Sequence, residues 1–319
     1  MDKHHPNGQS HLTSASSNRL KITLGILLTI MVAEVAGGLL SGSLALLSDA
    51  GHMLVDALAL GLSLFALNLA RRPATLTKTY GYHRAEIMAA LTNGTILILV
   101  SVYIFYEAYQ RFFNPVPVRT PLMLGVASFG LIANLVGMLL LRGASQRSLN
   151  IKAAFWHIIG DTISSVGVII AGIIISITQW YFADPIVATL IGGLVLWGAV
   201  QVVRESTNIL LEAVPKHLQL EKVIEAMKNV PGVKDIHDIH IWTITSGIYS
   251  LSAHLVIEDQ MVSLSGDVVS KVNESLEHNF NITHTTLQLE CESCPTGAVC
   301  NIHTTCLLYT SPSPRDRQK

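Results

Sequence analysis

Two short segments carry the residues that could do chemistry. One reads Asp49-Ala-Gly-His52-Met-Leu-Val-Asp56 and the other His157-Ile-Ile-Gly-Asp161. Residues four apart lie on one face of a helix, so each segment offers an imidazole and a carboxylate side by side. Together the two pairs supply two nitrogens and two oxygens, a set that suits tetrahedral zinc with bonds of about 2.0–2.2 Å. Calcium and magnesium prefer all-oxygen shells and copper(I) prefers sulfur, so these ions suit the set less well. The plainer reading is that the groups satisfy one another between packed helices. One isolated His or Asp is explained that way; the same pattern on two segments is harder to explain so. Asp49, one turn before His52, reads either as a proton acceptor or as a helix-start residue.

Both segments sit inside long apolar runs. The 319-residue chain is 50% hydrophobic and only 13% charged, against roughly 25% charged in an ordinary soluble domain. Its mean hydropathy is +0.46. A helix needs about 20 apolar residues to cross a bilayer. Six runs meet that need, near residues 21–40, 44–70, 85–110, 121–141, 154–177 and 184–203. The second and fifth contain the two His/Asp segments. Ionisable groups at membrane depth are costly and usually mark ion paths or proton relays. Glu34 in the first run and Asn134 in the fourth read as packing or polar contacts. The formal net charge of -1 gives no reason to expect a nucleic-acid partner. The polar residues 1–19 read as a flexible tail, and with no early apolar run and cleavage site no signal peptide is expected.

Basic residues set the expected orientation. The connection after the second run holds Arg71, Arg72, Lys78 and Arg84, and the one after the fourth holds Arg142, Arg147 and Lys152. The connections after the first and fifth hold none, so both termini are expected on the cytoplasmic side. The last hundred residues then read as a small α/β unit. An amphipathic helix over 218–229 ends at Pro231-Gly232, strands follow over 233–243 and 248–257 around Gly247, then a helix over 264–280 and a strand over 282–289. A sheet backed by two helices would bury its apolar faces.

Three longer motifs place the chain among known proteins. Ser43-Leu44-Ala45-Leu46-Leu47-Ser48-Asp49-Ala50-Gly51-His52, Tyr80-Gly81-Tyr82-His83-Arg84-Ala85-Glu86 and His237-Asp238-Ile239-His240-Ile241-Trp242 closely resemble the cation diffusion facilitator family, over about residues 20–290. Within it, the chain looks most like the bacterial zinc exporters with a His-Asp pair on each of two helices. The resemblance implies an all-α six-helix transmembrane domain over 20–211 and a small α+β, ferredoxin-like cytoplasmic domain over 212–290. It also implies a homodimer in the lipid bilayer, of a bacterial inner membrane, that exchanges metal for protons. It puts the transport site at His52, Asp56, His157 and Asp161, the four reached from ligand chemistry. Members with Asp in place of the first His admit cadmium and other metals more freely, so His52 favours zinc. The His-rich loop that many relatives carry after the fourth helix is missing here, since residues 142–152 contain no His.

The resemblance further places His237, His254 and His284, each in an expected strand, at the family's cytoplasmic zinc sites. Strand alternation would point His237 and His240 opposite ways. The accompanying carboxylate of some relatives is not evident, because Thr286 stands near its place. Cys291, Cys294 and Cys300 in the tail 291–305 have metal-binding spacing, with His303 or His4-His5 as possible further ligands; the alternative is a free thiol tail. His83 reads as structural. The run from Cys306 to Lys319 lacks any period and reads as a non-native tail. Asn281-Ile-Thr283 matches a glycosylation acceptor but falls in a cytoplasmic strand.

The function expected is therefore zinc efflux against protons, with zinc as cargo and as a possible regulatory ligand. The alternatives are a broader exporter of cadmium, cobalt or iron, and a metal-gated channel. A membrane enzyme would need an open metal position, a base and an oxyanion donor, whereas four protein ligands close the site.

Overall fold

The computed structural model describes residues 14–142 and 149–291. Six long helices come first: α1 (Ser14–Ser41), α2 (Leu44–Ala70), α3 (Ala85–Phe113), α4 (Thr120–Arg142), α5 (Leu149–Thr178) and α6 (Ala183–Leu210). They occupy the six apolar runs. Over their described residues, α3 to α6 are each long and apolar enough to cross a membrane, and α1 contributes the shorter apolar stretch Leu28–Ser41. The chain divides into two compact units, one of residues 1–64 and 89–203, the other of residues 65–88 and 204–319.

The first unit is helical and apolar outside as well as inside. Leu44, Leu46, Met123, Val168 and Ala188 close its interior, and α4 packs against both α1 and α5. Small residues allow the approach. A Cβ on Gly37 would lie 2.6 Å from Val126, and one on Gly172 2.7 Å from Leu124. The outward faces carry Leu99, Ile132, Leu139, Ile163, Ile177, Leu194 and Trp197, all exposed. Water would make such a surface aggregate; hydrocarbon is the solvent that suits it.

The second unit contains the sheet. After α7 (Leu220–Lys228) come β1 (Val233–Thr245), β2 (Ile248–Ile257), α8 (Val262–Phe280) and β3 (Ile282–Glu290), the expected order of elements. A complete ferredoxin-like unit has four strands; the described sheet has three, in the order β1-β2-β3. β1 and β2 pair antiparallel, whereas β2 and β3 pair parallel because α8 carries the chain back. Gly232 between α7 and β1 is required twice over: its φ is +101°, and a Cβ there would lie 2.8 Å from Val268. Asn281, in the left-handed region, ends α8 by donating its N–H to the Glu277 carbonyl. The middle of β2 alternates. Leu251, Ala253 and Leu255 are fully buried against Val223, Met227, Val272 and Leu276 of the two helices, which leaves Ser252 and His254 to the other face.

This core should sustain the C-terminal domain alone. A fragment of residues 212–302 should unfold cooperatively in denaturant, and Leu251→Ala should cost it about 2–5 kcal/mol, as truncations of fully buried leucines do. An unchanged midpoint would show that the helices do not pack on this face.

Candidate metal centres

The first His/Asp pair falls where helical spacing puts it. His52 and Asp56 are one turn apart on α2, with His52 Nε2 3.4 Å from Asp56 Oδ2. Asp161 on α5 is buried. His157 lies one turn before it on the same helix, and its side chain is outside those described. A hydrogen bond ties the two helices at this level: the Ser164 hydroxyl donates to the Asp49 carboxylate and also lies 3.0 Å from the Asp161 carbonyl. Asp49 is one turn before His52 and Ser164 one turn after Asp161, so the site-bearing turns of α2 and α5 sit side by side. Asp49 is not a helix-start residue. α2 begins at Leu44, and Asp49 is buried in its second turn. Sequence reasoning did not single out Ser164, because a serine in an apolar helix gives no sign of a partner on another span.

Glu34 and Asn134 are also buried, on α1 and α4. Gly130 makes room for the first, since a Cβ there would lie 2.7 Å from Glu34 Oε1. They are polar groups at the α1–α4 packing surface.

The C-terminal unit brings together a second set. His237 on β1 is paired in register with His254 on β2, and their rings meet edge to face with centroids 5.0 Å apart. Glu290 at the end of β3 reaches both. Its Oε2 is 3.1 Å from His237 Nε2, and its Oε1 is 2.9 Å from His254 Nδ1. One ligand atom from each of the three lies within 4.8 Å of the others. Tetrahedral zinc with bonds of about 2.1 Å holds its ligand atoms roughly 3.4 Å apart, so these side chains need only small adjustments to accept it.

The structure does not bring His284 into this group. It pairs with Ser250 in register, four residues along β2 from His254, a separation of roughly 13 Å at 3.3 Å per residue. Its exposed ring packs instead at 5.7 Å against Tyr80. The carboxylate in this group is not near Thr286: it is that of Glu290, which lies beyond Gln288, the register partner of His254.

His237 and His240 do not point opposite ways. The register runs His237↔His254 and then His240↔Ser252, three residues on β1 against two on β2. That bulge puts both histidines on the face away from the helices. Asp238 takes the strained position, with φ of +51°, and its carboxylate lies 3.1 Å from His240 Nε2 and 3.6 Å from His254 Nε2. A left-handed non-glycine residue beside the His237, His254 and Glu290 cluster fits a site held under strain. Cys291 follows directly and is exposed with a free thiol. Cys294, Cys300, the tail 306–319, His303 and His4-His5 lie outside the described residues, as does the connection 143–148.

Most of the chain is similar to known proteins. Residues 20–211 match the family described as cation efflux transmembrane domain, and residues 215–292 match the cation efflux protein, cytoplasmic domain. The chain is 42% identical over 289 residues to a cadmium, cobalt and zinc/H(+)-K(+) antiporter of Bacillus subtilis, covering 90% of this chain and 93% of that protein. It is also 42% identical over 288 residues to the zinc transporter ZitB of Pectobacterium atrosepticum, covering 89% of each. Among solved structures it matches the metal-bound C-terminal domain of the CzcD transporter from Cupriavidus metallidurans at 40% identity, over 23% of this chain and 99% of that one, with a TM-score of 0.21. These relatives are transporters, not enzymes. The chain is a membrane protein that belongs to the cation diffusion facilitator family of metal cation efflux transporters.

Proposed function

We propose that this protein exports zinc from the cytoplasm in exchange for protons, through a tetrahedral site of His52, Asp56, His157 and Asp161. The observation that carries the reading is the pairing of α2 and α5 at the level of the two His-x-x-x-Asp segments, fixed by the Ser164–Asp49 hydrogen bond. Zinc binds neutral imidazole and ionised carboxylate, so metal arriving displaces protons and protons arriving displace metal. Histidine titrates near pH 6.5 when unperturbed, within the range over which a cell can drive such a cycle. All six long helices span the membrane in this reading, both termini are cytoplasmic, and the ferredoxin-like domain joins two copies as a homodimer in a bacterial inner membrane. The domain limits are 20–211 and 212–290. His237, His254 and Glu290 form a cytoplasmic zinc site that reports the metal level to the dimer. Cys291, Cys294 and Cys300 have the spacing of a further metal-binding set.

A second reading is a wider cargo range, because one relative is named for cadmium and cobalt as well as zinc. His52 bears on the choice, since a nitrogen at that position favours zinc over larger, oxygen-preferring ions.

Three outcomes follow. In proteoliposomes with an imposed pH gradient, Asp56→Ala and Asp161→Ala should each abolish zinc flux while the purified protein remains monodisperse; wild-type rates in both would remove the site assignment. His52→Asp should shift the transport ratio of cadmium to zinc upward, and an unchanged ratio would argue against selectivity set at this position.

The third concerns the 212–302 fragment with Cys291, Cys294 and Cys300 changed to Ser. Zinc at 100 times its dissociation constant stabilises a folded domain by about 2.7 kcal/mol, or roughly 10–20 °C for a domain of this size. Glu290→Ala and His237→Ala should each lose that rise, and His284→Ala should keep it. Loss in His284→Ala with retention in Glu290→Ala would reverse the ligand assignment.

A further inference from the structure

The helix that carries half of the membrane site is held at its start by a carboxylate from another helix. Gly42, with φ of +73°, turns the chain from α1 into α2. The first N–H groups of a helix have no partner within it, yet here each has one. Leu46 N–H donates to the Ser43 hydroxyl at 3.1 Å, an ordinary cap. Leu44 N–H and Ala45 N–H donate to the two oxygens of Asp184 at 2.7 and 3.1 Å. The Ser43 hydroxyl donates to Asp184 as well, at 2.6 Å. Asp184 belongs to the first turn of α6 and is fully buried. Arg111 of α3 answers its charge at 3.3 Å, donates to the Gly42 carbonyl, and pairs through Nε with Glu107 at 3.1 Å.

We propose that Asp184 is a positioning residue for transport: it fixes the rotation and depth of α2 and so decides where His52 and Asp56 meet the α5 pair. The inference rests on the reading of those four residues as the transport site. Ser43 alone would satisfy a cap, and a fully buried carboxylate is a costly way to begin a helix. What Asp184 adds is orientation. Bonds to two successive N–H groups, about 100° apart around the axis, hold the helix against turning as well as sliding. The lever is short, because Leu44 and His52 are eight residues apart, roughly 12 Å along the axis. A side-chain tip roughly 5 Å from the axis moves about 0.9 Å for a 10° rotation, several times the tolerance of about 0.2 Å in metal–ligand distances. Arg111 answers the Asp184 charge and is shared with Glu107, which ties α3 into the same cap.

The test uses the full chain carrying His237→Ala, Glu290→Ala and Ser at Cys291, Cys294 and Cys300, which leaves the membrane site as the zinc binder. Equilibrium zinc binding to the purified protein is measured for this background and for Asp184→Ala, Asp184→Asn and Ser43→Ala, alongside zinc and cadmium flux in proteoliposomes. Expected are at least a tenfold loss of zinc affinity in Asp184→Ala, a smaller loss in Asp184→Asn, and a KM effect exceeding the kcat effect, with weaker discrimination against cadmium. If Asp184→Ala does not fold, Asp184→Asn and Ser43→Ala decide the matter by the same loss in smaller measure. Folded variants with background zinc affinity and background metal preference would overturn the proposal, even if they transport slowly. Retained zinc binding in Asp161→Ala would instead undo the site reading itself.

Discussion

Ionisable groups in a hydrocarbon surrounding cannot be left to themselves, and this one constraint accounts for most of the membrane unit. A charged side chain at membrane depth costs several kcal/mol unless a partner meets it. The chain places Glu34, Asp49, Asp161 and Asp184 in buried positions of helices that otherwise read as lipid-facing. Asp49 accepts from Ser164, and Asp184 is surrounded by two backbone N–H groups, a hydroxyl and Arg111. In the proposed transport cycle the cation is the alternating partner of Asp56 and Asp161. In that cycle proton and zinc would compete for the same lone pairs, and exchange would need no separate coupling device.

The C-terminal domain solves a different problem. It has its own apolar core between two helices and one sheet face, so its opposite face is free to carry polar groups. The bulge at Asp238 is what turns that face into a cluster. Without it, His240 would fall on the core side; with it, His237, Asp238, His240 and His254 crowd one short stretch, and Glu290 closes the group from the third strand.

Much of this was legible in the residues. The six apolar runs became six helices, four of them long and apolar enough over their described residues to cross a membrane, because length and hydropathy are read without knowing any partner. The helical spacing of His52 with Asp56 is likewise local, and so is the order of elements after residue 218, marked by Pro231-Gly232 and Gly247. What sequence reading missed depends on register or on distant partners. Strand alternation put His240 on the wrong face because a one-residue bulge shows itself only in the pairing. His284 looked equivalent to His237 and His254 until parallel pairing set it opposite Ser250. Asp184 and Ser164 gave no signal because their partners are 140 and 115 residues away.

The central claim is that one site binds zinc and protons in alternation. The most direct measurement loads proteoliposomes with a pH-sensitive dye, imposes a zinc gradient with no initial pH difference, and follows both ions. Zinc entry should drive protons out at a fixed ratio, and Asp161→Ala should abolish both movements together. Zinc flux without proton counterflow, or proton movement that persists unchanged in Asp161→Ala, would contradict the account.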